Sequence, residues 1–128
     1  MIVRAHFILF VRDQAASAAF YAAALDRAPT LDVPGMTELE LTESSVLGLM
    51  PERGIVRLLG DTIVDPARAE GAPRAELYLV VEDADACHRR AITAGARELS
   101  AVAPRDWGHR AGYVADPDGH VIAFATPA

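Results

Sequence analysis

The chain has 128 residues, 52% hydrophobic and 23% charged, with a net charge of −6 and a pI near 5.1. That length and composition predict one globular domain, able to bury roughly two-thirds of its unfolded surface, and exclude a disordered chain. The acidic balance argues against nucleic-acid and anionic-membrane partners, and the single cysteine, Cys87, excludes an internal disulfide and a cysteine-rich zinc site.

The apolar N-terminus is broken by Arg4 and His6 and closed by Arg12-Asp13, which makes a poor signal peptide. No run approaches the roughly 18 apolar residues of a membrane span, so the expectation is a soluble, cytoplasmic protein. His6 to Val11 reads as a strand of β-branched and aromatic residues. Asp13 is placed to cap a helix through the alanine-rich Ala15–Leu25, with Pro29 beyond its end. Thr37 to Leu41 alternates strictly, Thr42–Ser45 makes a polar turn, and Val46 to Met50 completes a hairpin. From Pro51 to Arg74, scattered Gly, Pro and charged residues predict a linker with a short ordered piece around Ile55–Leu59.

The pattern then starts again. Glu76 to Val81 is a strand, Asp83 a cap, and Asp85–Ala94 a helix closed by Gly95. A loop carrying Trp107-Gly108 leads to Gly112-Tyr113-Val114. Asp116-Pro117-Asp118-Gly119-His120 is a tight turn into a last strand, Val121–Ala125. Leu9 falls on Leu79, Asp13 on Asp83 and Ala16 on Ala86, each 70 residues apart, while Val46 falls on Val121 and Gly48 on Ala123 at a spacing of 75. The chain is therefore read as two copies of one strand–helix–strands unit. Alternation puts His6, Ile8 and Phe10 on one face of the first strand, and Glu76, Tyr78 and Val80 on the matching face of its repeat. One helix per unit covers one face of a sheet. The other must meet the second unit, a partner chain or a ligand.

In order and spacing, the strand His6–Asp13, Phe20-Tyr21 in the first helix, the second strand with Asp83, and Asp116–His120 resemble the vicinal oxygen chelate superfamily. Its members include glyoxalase I, extradiol dioxygenases and the bleomycin- and mitomycin-resistance proteins. The resemblance covers nearly the whole chain. It implies an α+β fold of two βαβββ modules in a single domain over residues 1–128, with module one at about 1–52, a linker at about 53–74 and module two at about 75–128. It also implies a cup-shaped cleft and a homodimer in which both chains contribute to each cup. In metal-using members four inward positions hold the ion, and they fall here at His6, Gly48, Glu76 and Ala123. Gly48 and Ala123 carry no donor, which leaves a His–Glu pair where a divalent ion wants three or four ligands. No metal and no other cofactor is expected; the alternative is a divalent ion on His6 and Glu76.

His6 reads as a hydrogen-bonding group in the cleft, with half of a metal site or a backbone-satisfied histidine as the other readings. Glu76, an inward carboxylate, needs a partner such as His6 or a cationic ligand. Ile8, Phe10, Met50, Tyr78 and Trp107 would line an apolar pocket, or else serve as core or dimer contacts. The Trp107-Gly108-His109-Arg110 segment resembles the Trp-Gly-x-Arg stretch of resistance-type members. Arg110 is accordingly a candidate for a carboxylate or phosphate, against a solvent-exposed or Asp106-paired role. His120 is expected to face solvent, Glu38 and Glu40 to form a solvated edge or an acidic mouth, and Cys87 to be a buried small residue rather than the nucleophile of a pair with His88. The first functional expectation is a metal-free protein of the antibiotic-resistance type that sequesters a hydrophobic or aromatic small molecule. The alternative is an enzyme, a metal-dependent glyoxalase-type lyase, isomerase or dioxygenase. A metal-free isomerase with Glu76 as base and His6 as acid is chemically allowed but has no specific support.

Overall fold

A computed structural model describes all 128 residues. The elements run β1 (Ala5–Val11), α1 (Gln14–Leu25), β2 (Leu31–Val33), β3 (Met36–Thr42), β4 (Ser45–Pro51), α2 (Glu52–Leu59), β5 (Glu76–Val80), α3 (Ala84–Thr93), β6 (Arg97–Pro104), β7 (His109–Ala115) and β8 (Val121–Pro127). The chain divides into two compact units, Met1–Ala22 with Asp26–Glu70, and Ala23–Leu25 with Gly71–Ala128. Each holds one four-stranded sheet, ordered β1-β4-β3-β2 in the first and β5-β8-β7-β6 in the second. The fold is α+β with two repeated βαβββ modules, as the repeat in the sequence leads one to expect. No helix is long and apolar enough to cross a membrane.

The two spacings hold pair by pair. β1 runs parallel to β4 with His6 opposite Val46 and Ile8 opposite Gly48; β5 runs parallel to β8 with Glu76 opposite Val121 and Tyr78 opposite Ala123. Parallel neighbours need a crossover, and the helix with two antiparallel strands supplies it in both modules. The caps repeat as well. Asp13 accepts from the Ala16 N–H and Asp83 from the Ala86 N–H, both at 3.0 Å, so each helix starts at the equivalent carboxylate.

In the first sheet Val11, Leu39, Leu47 and Leu49 are fully buried on one face. Gln14, in the first turn of α1, ties the helix start to the β2–β3 hairpin. Its amide donates to the Val33 carbonyl (2.8 Å) and Thr37 Oγ1 (3.0 Å) and accepts from the Gly35 N–H (3.0 Å). In the second sheet α3 lies across β6, β7 and β8, over the face of Ile122, Phe124 and Val114. The last turn closes as its residues dictate: the Asp116 carboxylate accepts from the Asp118 and His120 N–H groups, and Gly119 has φ +91°.

Three elements differ from the sequence expectation. The ordered piece expected around Ile55–Leu59 is helix α2, which begins earlier, at Glu52, and short 3₁₀ turns follow at Gly60–Thr62 and Pro66–Ala69 in the rest of the expected linker. Ile55 is the buried residue of α2. Strand β2 is three residues long, with all three exposed, and carries no alternation to detect. Strand β6, in the stretch read as a loop, slips register between Glu98 and Ser100 and again between Ser100 and Ala103. Two bulges break the period of two that would have marked it.

Candidate functional site

Strand register decides which side chains share a face, and each unit presents one face that its helix does not cover. In the first sheet that face carries His6, Ile8 and Phe10 of β1 beside Gly48 and Met50 of β4 and Met36, Glu38 and Glu40 of β3. His6 Nδ1 lies 3.4 Å from Glu38 Oε2, and the Arg4 guanidinium donates to Glu40 at 3.4 Å. The two glutamates read as a solvated edge or an acidic mouth thus each face a side chain at or just before the start of β1, His6 and Arg4. Space over Gly48 is already taken, since a Cβ there would stand 3.0 Å from Ile8 Cγ1 and 3.3 Å from Met36 Sδ.

In the second sheet the equivalent face carries Glu76, Tyr78, Ala123, Tyr113 and His109. Tyr78 and Tyr113 flank Ala123 from its two neighbouring strands. Arg105 lies over the Tyr113 ring, 5.2 Å from its centroid, held by hydrogen bonds to Ser100 Oγ and to the Ala101 and Ala111 carbonyls. Burial first, then Glu76 and Tyr78, push the Tyr113 hydroxyl above the ordinary value of 10.0, against the lowering effect of Arg105.

The β6–β7 hairpin tip folds a tryptophan back onto this face. The Arg105 N–H donates to the His109 carbonyl, and Gly108 takes φ +87° at the corner. The Trp107 indole N–H donates to Tyr78 Oη at 2.8 Å, and Tyr78 Oη stands 2.6 Å from His109 Nδ1. The Tyr78 and His109 rings stack, with centroids 5.8 Å apart. Trp107 itself is 56% exposed. An exposed indole, a buttressing phenol and an imidazole thus form one hydrogen-bonded wall.

Within the first unit, the structure brings His6, Ile8, Phe10 and Met50 to one face; within the second it brings Glu76, Tyr78 and Trp107 to one face. Arg110 is elsewhere. It alternates to the α3 side of β7, where it donates to Asp85 at 3.4 Å, neither lying beside Tyr78 nor pairing with Asp106. The residue the sequence reading passed over is His109. Alternation from Tyr113 through Ala111 could have found it, because 109 shares their face and 110 does not. His120 is half-buried, and its backbone N–H is spent on Asp116. His88 turns away from Cys87 to Glu98, 2.8 Å from Nε2, and Cys87 is a half-buried free thiol.

A groove of about 590 Å³ in the first unit runs between the α1 alanines Ala15, Ala18 and Ala22 and the Asp32–Pro34 segment. Its polar lining groups, Gln14 and Asp32, are engaged with the β2–β3 hairpin, Asp32 by accepting from Thr37 Oγ1 at 2.9 Å. It offers shape without directed chemistry.

The Glyoxalase/Bleomycin resistance protein/Dioxygenase superfamily model matches residues 4–124, and the chain belongs to that superfamily. An uncharacterized protein of Mycobacterium bovis is 32% identical over 123 residues, 93% of this chain and 80% of that protein. An uncharacterized protein of Mycobacterium tuberculosis is also 32% identical over 123 residues, 93% of this chain and 71% of that protein. Among solved structures, a glyoxalase-related enzyme from Fulvimarina pelagi superimposes with a TM-score of 0.81 at 25% identity, covering 95% of this chain and 86% of that one. Of the four positions at which the resemblance would put a metal ion, Gly48 and Ala123 supply no donor, and Ile8 and Met36 crowd Gly48.

Proposed function

We propose that this protein binds a hydrophobic or aromatic small molecule without a resident metal, in the manner of the resistance-type members of its superfamily. The observation that carries the proposal is the Trp107–Tyr78–His109 wall. Its indole is more than half exposed, yet it is held by a hydrogen bond to Tyr78. A rigid aromatic face open to water offers a stacking surface, and small-molecule sites combine such faces with a few directed polar groups. Ile8, Phe10, Met36 and Met50 give the first sheet a similar apolar lining, with His6 and Glu38 as its polar pair. Sequestration requires no bond to be made or broken. A homodimer, which the resemblance implies, is part of this proposal and is tested by the sedimentation mass.

The test is a thermal-shift and calorimetric screen of planar aromatic compounds against wild type and Trp107→Ala. Compounds that raise the melting temperature of wild type and not of the variant support the reading. A screen in which both proteins respond alike removes the wall from the site. Stoichiometric uptake of Ni²⁺, Zn²⁺, Mn²⁺ or Fe²⁺ by chelator-free protein would replace the proposal with a metal-dependent, glyoxalase-type enzyme.

A further inference from the structure

We propose that His109 is the donor that selects the ligand. Its Nε2–H holds an acceptor oxygen, carbonyl or carboxylate, of a planar aromatic compound whose ring lies against Trp107. This rests on the binding proposal above and goes further by naming the chemical class. An indole N–H can only donate, so Tyr78 Oη must accept from Trp107. We assign the one proton of the phenol to the other neighbour, His109 Nδ1, the arrangement that uses both the proton and a lone pair of Oη. A ring nitrogen that accepts carries no proton, so the neutral imidazole has its hydrogen on Nε2. The direction of the whole chain follows from the inability of tryptophan to accept together with that placement of the phenol proton.

The far end of that chain is open. The His109 side chain has no hydrogen bond besides the one to Tyr78, and its Nε2 is not sealed from water; the buried side-chain polar atoms without a partner are Ser17 Oγ and His88 Nδ1. The cations near β7 are committed, Arg105 to three backbone and side-chain acceptors and Arg110 to Asp85 on the opposite face. The Tyr78 hydroxyl is doubly used. What remains beside the exposed indole is one oriented N–H donor, polarised by the bonds behind it. A ligand with an acceptor on its ring satisfies it, and one without leaves it unpaired when water is displaced.

Nuclear magnetic resonance on the full chain tests this. Trp107 is the only tryptophan, so the indole N–H gives one resolved signal that reports titrations. Two-bond ¹H–¹⁵N spectra should show His109 as the Nε2–H tautomer, with that preference lost in Tyr78→Phe. Titration with 2-acetonaphthone, 2-naphthoate and the acceptor-free 2-ethylnaphthalene should give acceptor probes about tenfold tighter binding, the worth of one hydrogen bond, and the advantage should vanish in His109→Phe. An advantage for both acceptor probes assigns a carbonyl oxygen as sufficient, and for naphthoate alone assigns a carboxylate. A wild-type Nδ1–H tautomer overturns the inference with no ligand needed. Equal affinity for all three probes overturns it and leaves the aromatic-binding proposal standing, whereas no indole shift with any probe removes both.

Discussion

Gly112 of β7 lies directly under the His88 ring of α3: a methyl group on its α-carbon would stand 2.6 Å from Nδ1 and 2.6 Å from Val102 Cγ2. The helix approaches the sheet this closely only because β7 has no side chain there. His88 is buried, so its ring does not move cheaply. Gly112→Ala is expected to cost about 1–3 kcal/mol, measured by urea denaturation, and less in a His88→Ala background, where part of the obstruction is gone. Equal costs in the two backgrounds would contradict the contact.

Gly48 makes an informative contrast. Its virtual Cβ meets Ile8 at 3.0 Å and Met36 Sδ at 3.3 Å, and these neighbours are a partly exposed side chain and a flexible thioether. Gly48→Ala is expected to stay within about 1 kcal/mol of wild type, since small shifts of those side chains offset the crowding and the strand gains from losing a glycine. Unfolding of the two glycine variants side by side checks the ranking.

Helix α1 ends on Asp26 at φ +54°, a left-handed position whose N–H donates to the Ala22 carbonyl. Glycine adopts that conformation without a Cβ penalty and keeps the same backbone bond. Asp26→Gly should therefore raise stability by about 0.5–1 kcal/mol, read as a higher melting temperature.

Gly119 is required twice over in the last turn. It takes φ +91°, and a Cβ would come to 2.5 Å from the Gly71 carbonyl oxygen, a backbone atom with little room to yield. Gly119→Ala should destabilise the chain by about 2 kcal/mol or more, strain and collision together. Calorimetry that finds the variant unchanged would refute this turn geometry.

Tyr113 sets an alkaline limit. Burial, Glu76 and Tyr78 raise its hydroxyl above 10.0, so the folded chain holds that proton more tightly than the unfolded one. The contribution is intact below pH 10.0 and is lost as pH rises through the raised folded value, because the unfolded phenol ionises first. Absorbance at the phenolate band should show a late-titrating component that is lost in Tyr113→Phe, and Glu76→Gln should move it back toward the ordinary value.

Much of this was legible in the residues. Asp13 and Asp83 marked helix starts that the structure caps with equivalent bonds. The spacings of 70 and 75 anticipated the pairing of Ile8 with Gly48 and Tyr78 with Ala123. Alternation put His6, Ile8 and Phe10 together because strand geometry has a period of two and tolerates no other reading. It could not follow β6, where bulges interrupt that period, nor β2, which is too short to have one.

The amino-acid order by itself determined the repeated modules, their caps and turns, and the lack of donors at Gly48 and Ala123, since these depend on local conformation and on which atoms a side chain carries. Only the tertiary structure decided that Arg110 turns to Asp85 while His109 and Trp107 converge on Tyr78, 31 and 29 residues away. Hydrogen bonds are directional and short, so such partners are chosen by how strands and hairpin tips are placed in space, which no local pattern encodes.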